Sequence, residues 1–212
     1  MPLDGFPGQQ QAALTALTWL RADRLPHAVL VAGPVGSGKR EFAVELAKAA
    51  LCPEPGPDAC DGCPSCRKVQ ALGHPDVHLL VPLIAGRGAR DEAEPQAEMA
   101  AAATAFVEGR VEVSSSAANI SREHLRLLQR QMGYAPVEAR RQVAVLLDAE
   151  RMHPAGANSL LKMLEEPPGN SAFVLVSSAP DRLTATVRSR CQRLTLRRLG
   201  PETVRAALVA GG

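Results

Sequence analysis

GPVGSGKR, Gly33 to Arg40, lies between an apolar run, His27-Ala28-Val29-Leu30-Val31-Ala32, and an amphipathic stretch, Glu41 to Leu51. That order predicts a strand, a glycine loop and a helix. Gly33, Gly36 and Gly38 open backbone angles closed to other residues, so consecutive N–H groups can turn inward at the positive end of the helix. Ser37 sits inside this loop, and Lys39 is placed to reach the outer phosphates of a nucleotide. The pattern GxxxxGK[ST] ends in a hydroxyl that ligates Mg²⁺, whereas here that position is Arg40, a cation with no oxygen to offer. The residues therefore point to binding of ATP or ADP without the means of hydrolysis; a glycine-rich strand-to-helix turn with no ligand is the alternative.

In the helix after the loop, Ala43, Leu46, Ala47 and Ala50 form the face expected to lie on a sheet. Upstream, Gln9 to Leu20 carries Ala13, Leu14, Leu17 and Leu20 at helical spacing, and Asp23 to Pro26 reads as a turn. Downstream, helical character returns at Arg67 to Leu72, and Val77 to Val81 reads as a buried strand. Between Pro82 and Ala118 the pattern dissolves into Gly, Arg, Ala and acidic residues. It is read as an insertion, expected to be mobile, in which Asp91 to Ala105 could form an alanine helix. Ser121 is a plausible N-cap for a helix that buries Leu125, Leu128 and Met132. Arg122, Arg126 and Arg130 then line its other side, as a solvated basic face or a phosphate-contacting stripe.

Val143 to Asp148 is an apolar strand closing on a carboxylate, the position from which P-loop proteins hold their metal. Ala149 follows where a catalytic glutamate belongs, and Glu150 comes one place late. A slip of one residue at a strand end turns a side chain to the opposite face, which removes the base. Pro154 opens a helix with Ala157, Leu160, Leu161 and Leu164 inward, Pro167-Pro168 stops it, and Phe173 to Val176 gives another strand. Four strands alternating with helices predict an α/β fold with a parallel sheet flanked by helices.

Cys60-x-x-Cys63-x-x-Cys66, preceded by Cys52, supplies four thiols within a segment rich in Pro and Gly. Tetrahedral Zn²⁺ suits this spacing, and four cysteine ligands leave no open position, so the metal's role is structural. Disulfides and an iron–sulfur cluster are the alternatives. Cys191 stands apart and reads as a small core residue. His27, His74, His78, His124 and His153 form no pattern with an acid and a nucleophile, and surface or capping roles suffice for them. The 212 residues, 46% hydrophobic, are enough for one core and part of a second domain. Formal charge is +2, from 24 Lys and Arg against 22 Asp and Glu, so any nucleic-acid contact must be a local patch. Aromatic content is 3%, which argues against base-stacking platforms. No run approaches the ~18 apolar residues needed to span a bilayer, and a cytoplasmic protein is expected.

GPVGSGKR, the CxxCxxC segment, HPDVHLL, LLDAERMHPAGANSLLKMLEEPP, LVSSAPDRL and VRSRCQRL occur here in one order. In that order, over most of Leu14 to Leu196, the chain resembles the AAA+ clamp-loader subunits of bacterial DNA polymerase III. The resemblance implies an AAA+ P-loop domain over 1–196, with a zinc module at 52–66, a flexible insertion at 83–118, and the start of a helical lid at 197–212. Within the family the ATP-hydrolysing γ and τ subunits keep the hydroxyl after the P-loop lysine and an Asp-Glu pair, whereas δ′ subunits have decayed sites. Arg40 and Ala149 are similar to the δ′ pattern, and a γ/τ-type motor subunit is the alternative. The resemblance further implies a degenerate nucleotide site at Gly33, Gly36, Ser37, Gly38, Lys39, Arg40 and Asp148, and zinc ligation by Cys52, Cys60, Cys63 and Cys66. Arg190, in Ser189-Arg190-Cys191, is implied as an arginine finger supplied in trans to a neighbour's ATP; an ordinary ion pair at a strand edge is its alternative. Implied partners are the γ/τ and δ subunits and, through the complex, the sliding clamp and primed-template DNA. Family members of full length add a lid and a C-terminal collar domain, so the sequence is expected to be either naturally short or a piece of a longer chain.

Overall fold

The computed structural model describes residues 2–54, 56–84 and 118–211. Helix α1 (Gln10–Arg21) leads into strand β1 (Ala28–Ala32), the glycine loop and helix α2 (Lys39–Leu51). Helix α3 (Pro64–Gln70) and strand β2 (Val77–Leu80) follow, then the short strands β3 (Leu83–Ile84) and β4 (Ala118–Asn119). The rest is helix α4 (Arg122–Met132), strand β5 (Gln142–Leu146), helix α5 (Pro154–Glu165), strand β6 (Ser171–Ser177), helix α6 (Ala185–Ser189), strand β7 (Gln192–Thr195) and helix α7 (Pro201–Gly211).

Five strands form one parallel sheet in the order β2-β5-β6-β1-β7. Alternation along the central strands separates two cores. Val29 and Val31, Val143 and Val145, and Val174 and Val176 face one side, where Ala16 and Leu17 of α1 and Phe42 and Leu46 of α2 meet them. Leu30, Leu146, Phe173 and Leu175 face the other, against Leu125 and Leu128 of α4 and Leu160 and Leu164 of α5. Both faces of a parallel sheet must be covered, which is why these strands read as near-continuous apolar runs.

Helix starts follow local chemistry. Ser121 Oγ accepts from His124 N–H at 3.3 Å while His124 Nδ1 accepts from Ser121 N–H at 3.3 Å, a reciprocal cap on α4. His153 Nδ1 accepts from Ala155 N–H at 3.2 Å, and Pro154 occupies the first position of α5. His124 and His153 therefore cap helices, one of the two roles expected of the five histidines, whereas His74, 3% exposed, takes neither.

Several expectations change. The sheet has five strands, because β7 pairs with β1 although only Leu194 of its residues is buried. In α1 the inward face is Ala12, Ala13, Ala16 and Leu17, and Leu14 is 54% exposed. The third helix starts earlier and ends before Leu72, whose φ of +55° is not helical. The insertion is closed at its base by β3 and β4, paired antiparallel with Leu83 opposite Asn119; the alanine-rich stretch lies outside the described residues. No described helix is long and apolar enough to cross a membrane.

Candidate nucleotide and metal sites

The glycine loop connects the C-terminal end of β1 to the N-terminus of α2, the position in a parallel sheet where anions are met by helix N–H groups. Gly36 and Gly38 adopt φ of +77° and +75°, angles that an L side chain resists. At Gly33 the constraint is space, since a Cβ would lie 2.7 Å from Ser37 Oγ and 2.9 Å from the Leu196 carbonyl oxygen. Gln9, 3% exposed, locks the loop from outside. Its amide nitrogen donates to Ser37 O (3.0 Å) and Arg197 O (2.8 Å), and its amide oxygen accepts from Arg197 N–H (2.9 Å).

Lys39 is 5% exposed, and its ammonium donates to the Pro34 carbonyl across the loop at 3.1 Å. Burial pulls its pKa down, helped by the Arg40 charge, while Asp148 and Glu150 oppose the shift. Arg40 does not point away from the site. Its Nη2 donates to Asp148 Oδ2 at 3.1 Å, and Asp148 is 10% exposed. In a working site that carboxylate faces a divalent cation; here a guanidinium occupies it.

Asp148 and Glu150 also depart from the strand reading. Strand β5 ends at Leu146, Asp148 takes a left-handed backbone (φ +47°), and residues 149–151 form a single 3₁₀ turn. Strand alternation therefore does not govern Glu150. Its Oε1 accepts from Ser178 N–H at 3.0 Å, which fastens it to the end of β6. Through this oxygen the carboxylate holds a backbone amide.

Cys52, Cys60, Cys63 and Cys66 converge, all four sulfurs lying within 4.8 Å of one another. A tetrahedral zinc–thiolate centre has sulfur–sulfur edges of roughly 3.8 Å from Zn–S bonds of about 2.3 Å, so small movements suffice and the donor set fits. Cys63 N–H donates to Cys60 Sγ and Cys66 N–H to Cys63 Sγ, each at 3.3 Å. The amides of Cys63 and Gly62 draw the Cys60 thiol down to about 7, whereas burial pushes Cys52 and Cys66 up. Cys191 is excluded from the cluster, and burial raises its thiol to about 11.

Arg190 follows α6. Its Nη1 donates to Thr186 O at 3.1 Å and its Nη2 pairs with Glu165 Oε1 at 2.5 Å, with 36% of the side chain exposed. Its partners are on α5 and α6, not on the chain's own glycine loop. Arg122, Arg126 and Arg130 are all exposed along α4.

One constellation escaped the sequence reading. Ser65 Oγ lies 3.0 Å from His74 Nε2, and the carboxylate of fully buried Asp76 accepts from the amides of Val137, Glu138 and Ala139 at 2.6–2.8 Å. It resembles a nucleophile triad and is not one. His74 Nδ1 accepts from the Asp76 amide at 3.1 Å, so the neutral ring carries its proton on Nε2 and donates to Ser65, which donates to Leu51 O at 3.1 Å. The imidazole is in the wrong tautomer to be a base. The network pins the start of β2 to the loop before β5.

The sequence profile of the family described as "DNA polymerase III, delta subunit" matches residues 8–200. The chain belongs to the DNA polymerase III δ′ family. A δ′ relative from Bacillus subtilis is 30% identical over 190 residues, 90% of this chain and 48% of the relative. Another from Pseudomonas aeruginosa is 33% identical over 192 residues, 89% of this chain and 47% of the relative. The chain thus spans about half the length of these curated δ′ relatives. A γ/τ subunit from Mycobacterium tuberculosis is 30% identical over 203 residues, 95% of this chain and 29% of the relative. Among solved structures, a DNA polymerase III γ subunit-related protein from Thermotoga maritima superposes with a TM-score of 0.52 at 19% identity. That match covers 92% of this chain and 49% of the other. A point mutant of RuvB from the same organism gives 0.51 at 16% identity over 99% of this chain and 54% of the other. The sheet order and helical layers of this δ′ family chain are those of an AAA+ domain with an inserted four-cysteine segment.

Proposed function

We propose that this δ′ family chain is a clamp-loader subunit that does not hydrolyse ATP itself and acts on the ATP of a neighbouring γ/τ subunit through Arg190. The observation that carries the first half is the pair between Arg40 and Asp148 at 3.1 Å. A divalent metal would have to displace a permanently charged guanidinium from its own ligand, and the hydroxyl that should help hold it is absent. Glu150, one place after the position of a catalytic glutamate, accepts from Ser178 N–H through Oε1. Lys39 and the loop glycines are retained as a phosphate cradle, so the site is read as binding ATP or ADP without turning it over; this degenerate site comprises Gly33, Gly36, Ser37, Gly38, Lys39, Arg40 and Asp148.

For the second half, the support is that the pair Arg190 makes within this chain is weak enough to be exchanged. A half-exposed ion pair such as Arg190–Glu165 is worth about 0–1 kcal/mol. An arginine finger contributes on the order of 10³ to 10⁵ in rate, or about 4–7 kcal/mol. Exchange of Glu165 for a transferring phosphoryl group is therefore favourable once a neighbour presents one. The partners under this reading are γ/τ and δ subunits, with the sliding clamp and primed-template DNA reached through the complex. Zn²⁺ on Cys52, Cys60, Cys63 and Cys66 is structural, because four thiolates complete its shell. The test is ATP turnover by the purified chain, alone and with its partner subunits and primed DNA. No turnover is expected from the chain alone; a rate comparable to that of a γ subunit overturns the reading.

A further inference from the structure

The cysteine segment touches the glycine loop's support at two separate places. From the knuckle tip between Cys60 and Cys63, Asp61 Oδ1 reaches Lys48 Nζ at 2.5 Å. Lys48 lies on α2, is 0% exposed, and is also paired with Glu45 Oε2 at 2.6 Å. A buried ammonium depends on its carboxylates, since removing one leaves charge in a low-dielectric site. Asp61 itself holds a left-handed backbone, φ +56°, so its reach depends on the knuckle's shape.

The second contact runs through the N-terminal segment. Asp58 accepts from Leu3 N–H (3.1 Å) and Asp4 N–H (2.9 Å), and also from Ala59 N–H at 2.8 Å. Residues 3–5 form one 3₁₀ turn that ends at Phe6. The Phe6 ring packs edge-on against Phe42 of α2, centroids 5.2 Å apart. It also lies 3.1 Å from where a Cβ on Gly38 would stand, directly beneath the glycine loop. Ala59, Cys63 and Cys66 belong to the same apolar core as Leu3, Phe6, Phe42 and Leu46.

We infer that the four-cysteine segment is a metal-dependent brace of the loop it follows, with Asp61 holding α2 and Asp58 holding the N-terminal floor under Gly38. The inference rests on the metal reading above. Neither aspartate is among the sulfur ligands, so the two carboxylates can be removed without removing a ligand. With the metal bound, both carboxylates are presented in register; without it, the Pro- and Gly-rich segment loses its organising centre and the loop loses two tethers.

The experiment is hydrogen exchange followed by peptide, on protein loaded with Zn²⁺, on the same protein after chelation, and on a Zn²⁺-loaded Asp58→Asn/Asp61→Asn variant. Both contacts lose their charge, and each side chain one acceptor oxygen, in the variant, so exchange over residues 3–6 and 39–48 is expected to quicken about tenfold or more. Zinc content should stay at one equivalent and β6 should be unaffected. Chelation should reproduce the pattern and add exchange over 56–66. If the loaded variant keeps the parent's protection in both stretches, or chelation affects 56–66 alone, the brace is overturned while the metal reading stands. If the parent binds no Zn²⁺, both fall. Should chelation unfold the whole chain, the loaded variant decides; should the double variant not express, Asp61→Asn alone must still loosen 39–48.

Discussion

Arg40 turns a familiar loop into one with its own internal cation. Its neighbours in sequence gave no hint of a partner, because Asp148 lies 108 residues away and is reached only when β1 and β5 enter one sheet. The missing hydroxyl was legible, as was the missing glutamate after Asp148; the pairing of the two altered positions was not. A still longer separation hid Gln9, which joins the loop to Arg197 across 188 residues. If the guanidinium is what keeps a metal from Asp148, Arg40→Thr should restore both the hydroxyl and the free carboxylate. The expected outcome is Mg²⁺-dependent binding of a fluorescent ATP analogue, about tenfold tighter or more than in the parent, still with no turnover because Ala149 supplies no base. Binding that is unchanged by the substitution would show that something other than Arg40 governs the site.

Elements with strong local signals were readable from their residues. Strands β1, β5 and β6 are apolar on both faces, and α4 and α5 announce themselves with Ser121 and Pro154. Strand β7 was not, because an edge strand with Gln192, Arg193 and Thr195 exposed carries no apolar alternation. In α1 the spacing was helical but the phase was ambiguous, since Ala12, Ala13 and Ala16 define a face only weakly and Leu14 and Leu17 both fit a stripe. Packing against Phe42 and Leu46 selected Leu17, which is 2% exposed. Leu17→Ala should therefore cost about 2–5 kcal/mol in denaturant unfolding. Leu14→Ser should stay within about 0.5 kcal/mol; equal losses from the two would mean that the helix sits in the other phase.

On the scale of the whole molecule, stability should depend on pH through buried groups at the start of β2. Burial holds His74 and His78 below the usual histidine range, against the opposing charge of Asp76. Asp76 is also held low: burial opposes its ionisation, but the amides of Val137, Glu138 and Ala139 outweigh it. For the histidines, the unfolded chain binds protons below about pH 6.5 that the folded chain refuses, so stability falls as pH falls. For Asp76, stability is present above the unfolded carboxylate value of about 3.9 and is lost below it. Both act in one direction, and the thermal midpoint should drop between pH 7.5 and 5.5 and drop further by pH 4. A midpoint that is flat over this range would contradict the buried network.

A chain that contributes to a reaction on its neighbour, and not on its own nucleotide, should depend on Arg190 and not on Lys39. Arg190 is already ordered at the surface by Thr186 and Glu165, while Lys39 is folded back on Pro34. The most direct measurement is ATP hydrolysis by a reconstituted complex carrying either Arg190→Ala or Lys39→Ala in this chain, with all other subunits unchanged. Arg190→Ala should lower turnover in part, and Lys39→Ala should leave it near the parent rate. Loss of turnover with Lys39→Ala and none with Arg190→Ala would mean that the chain is itself a motor.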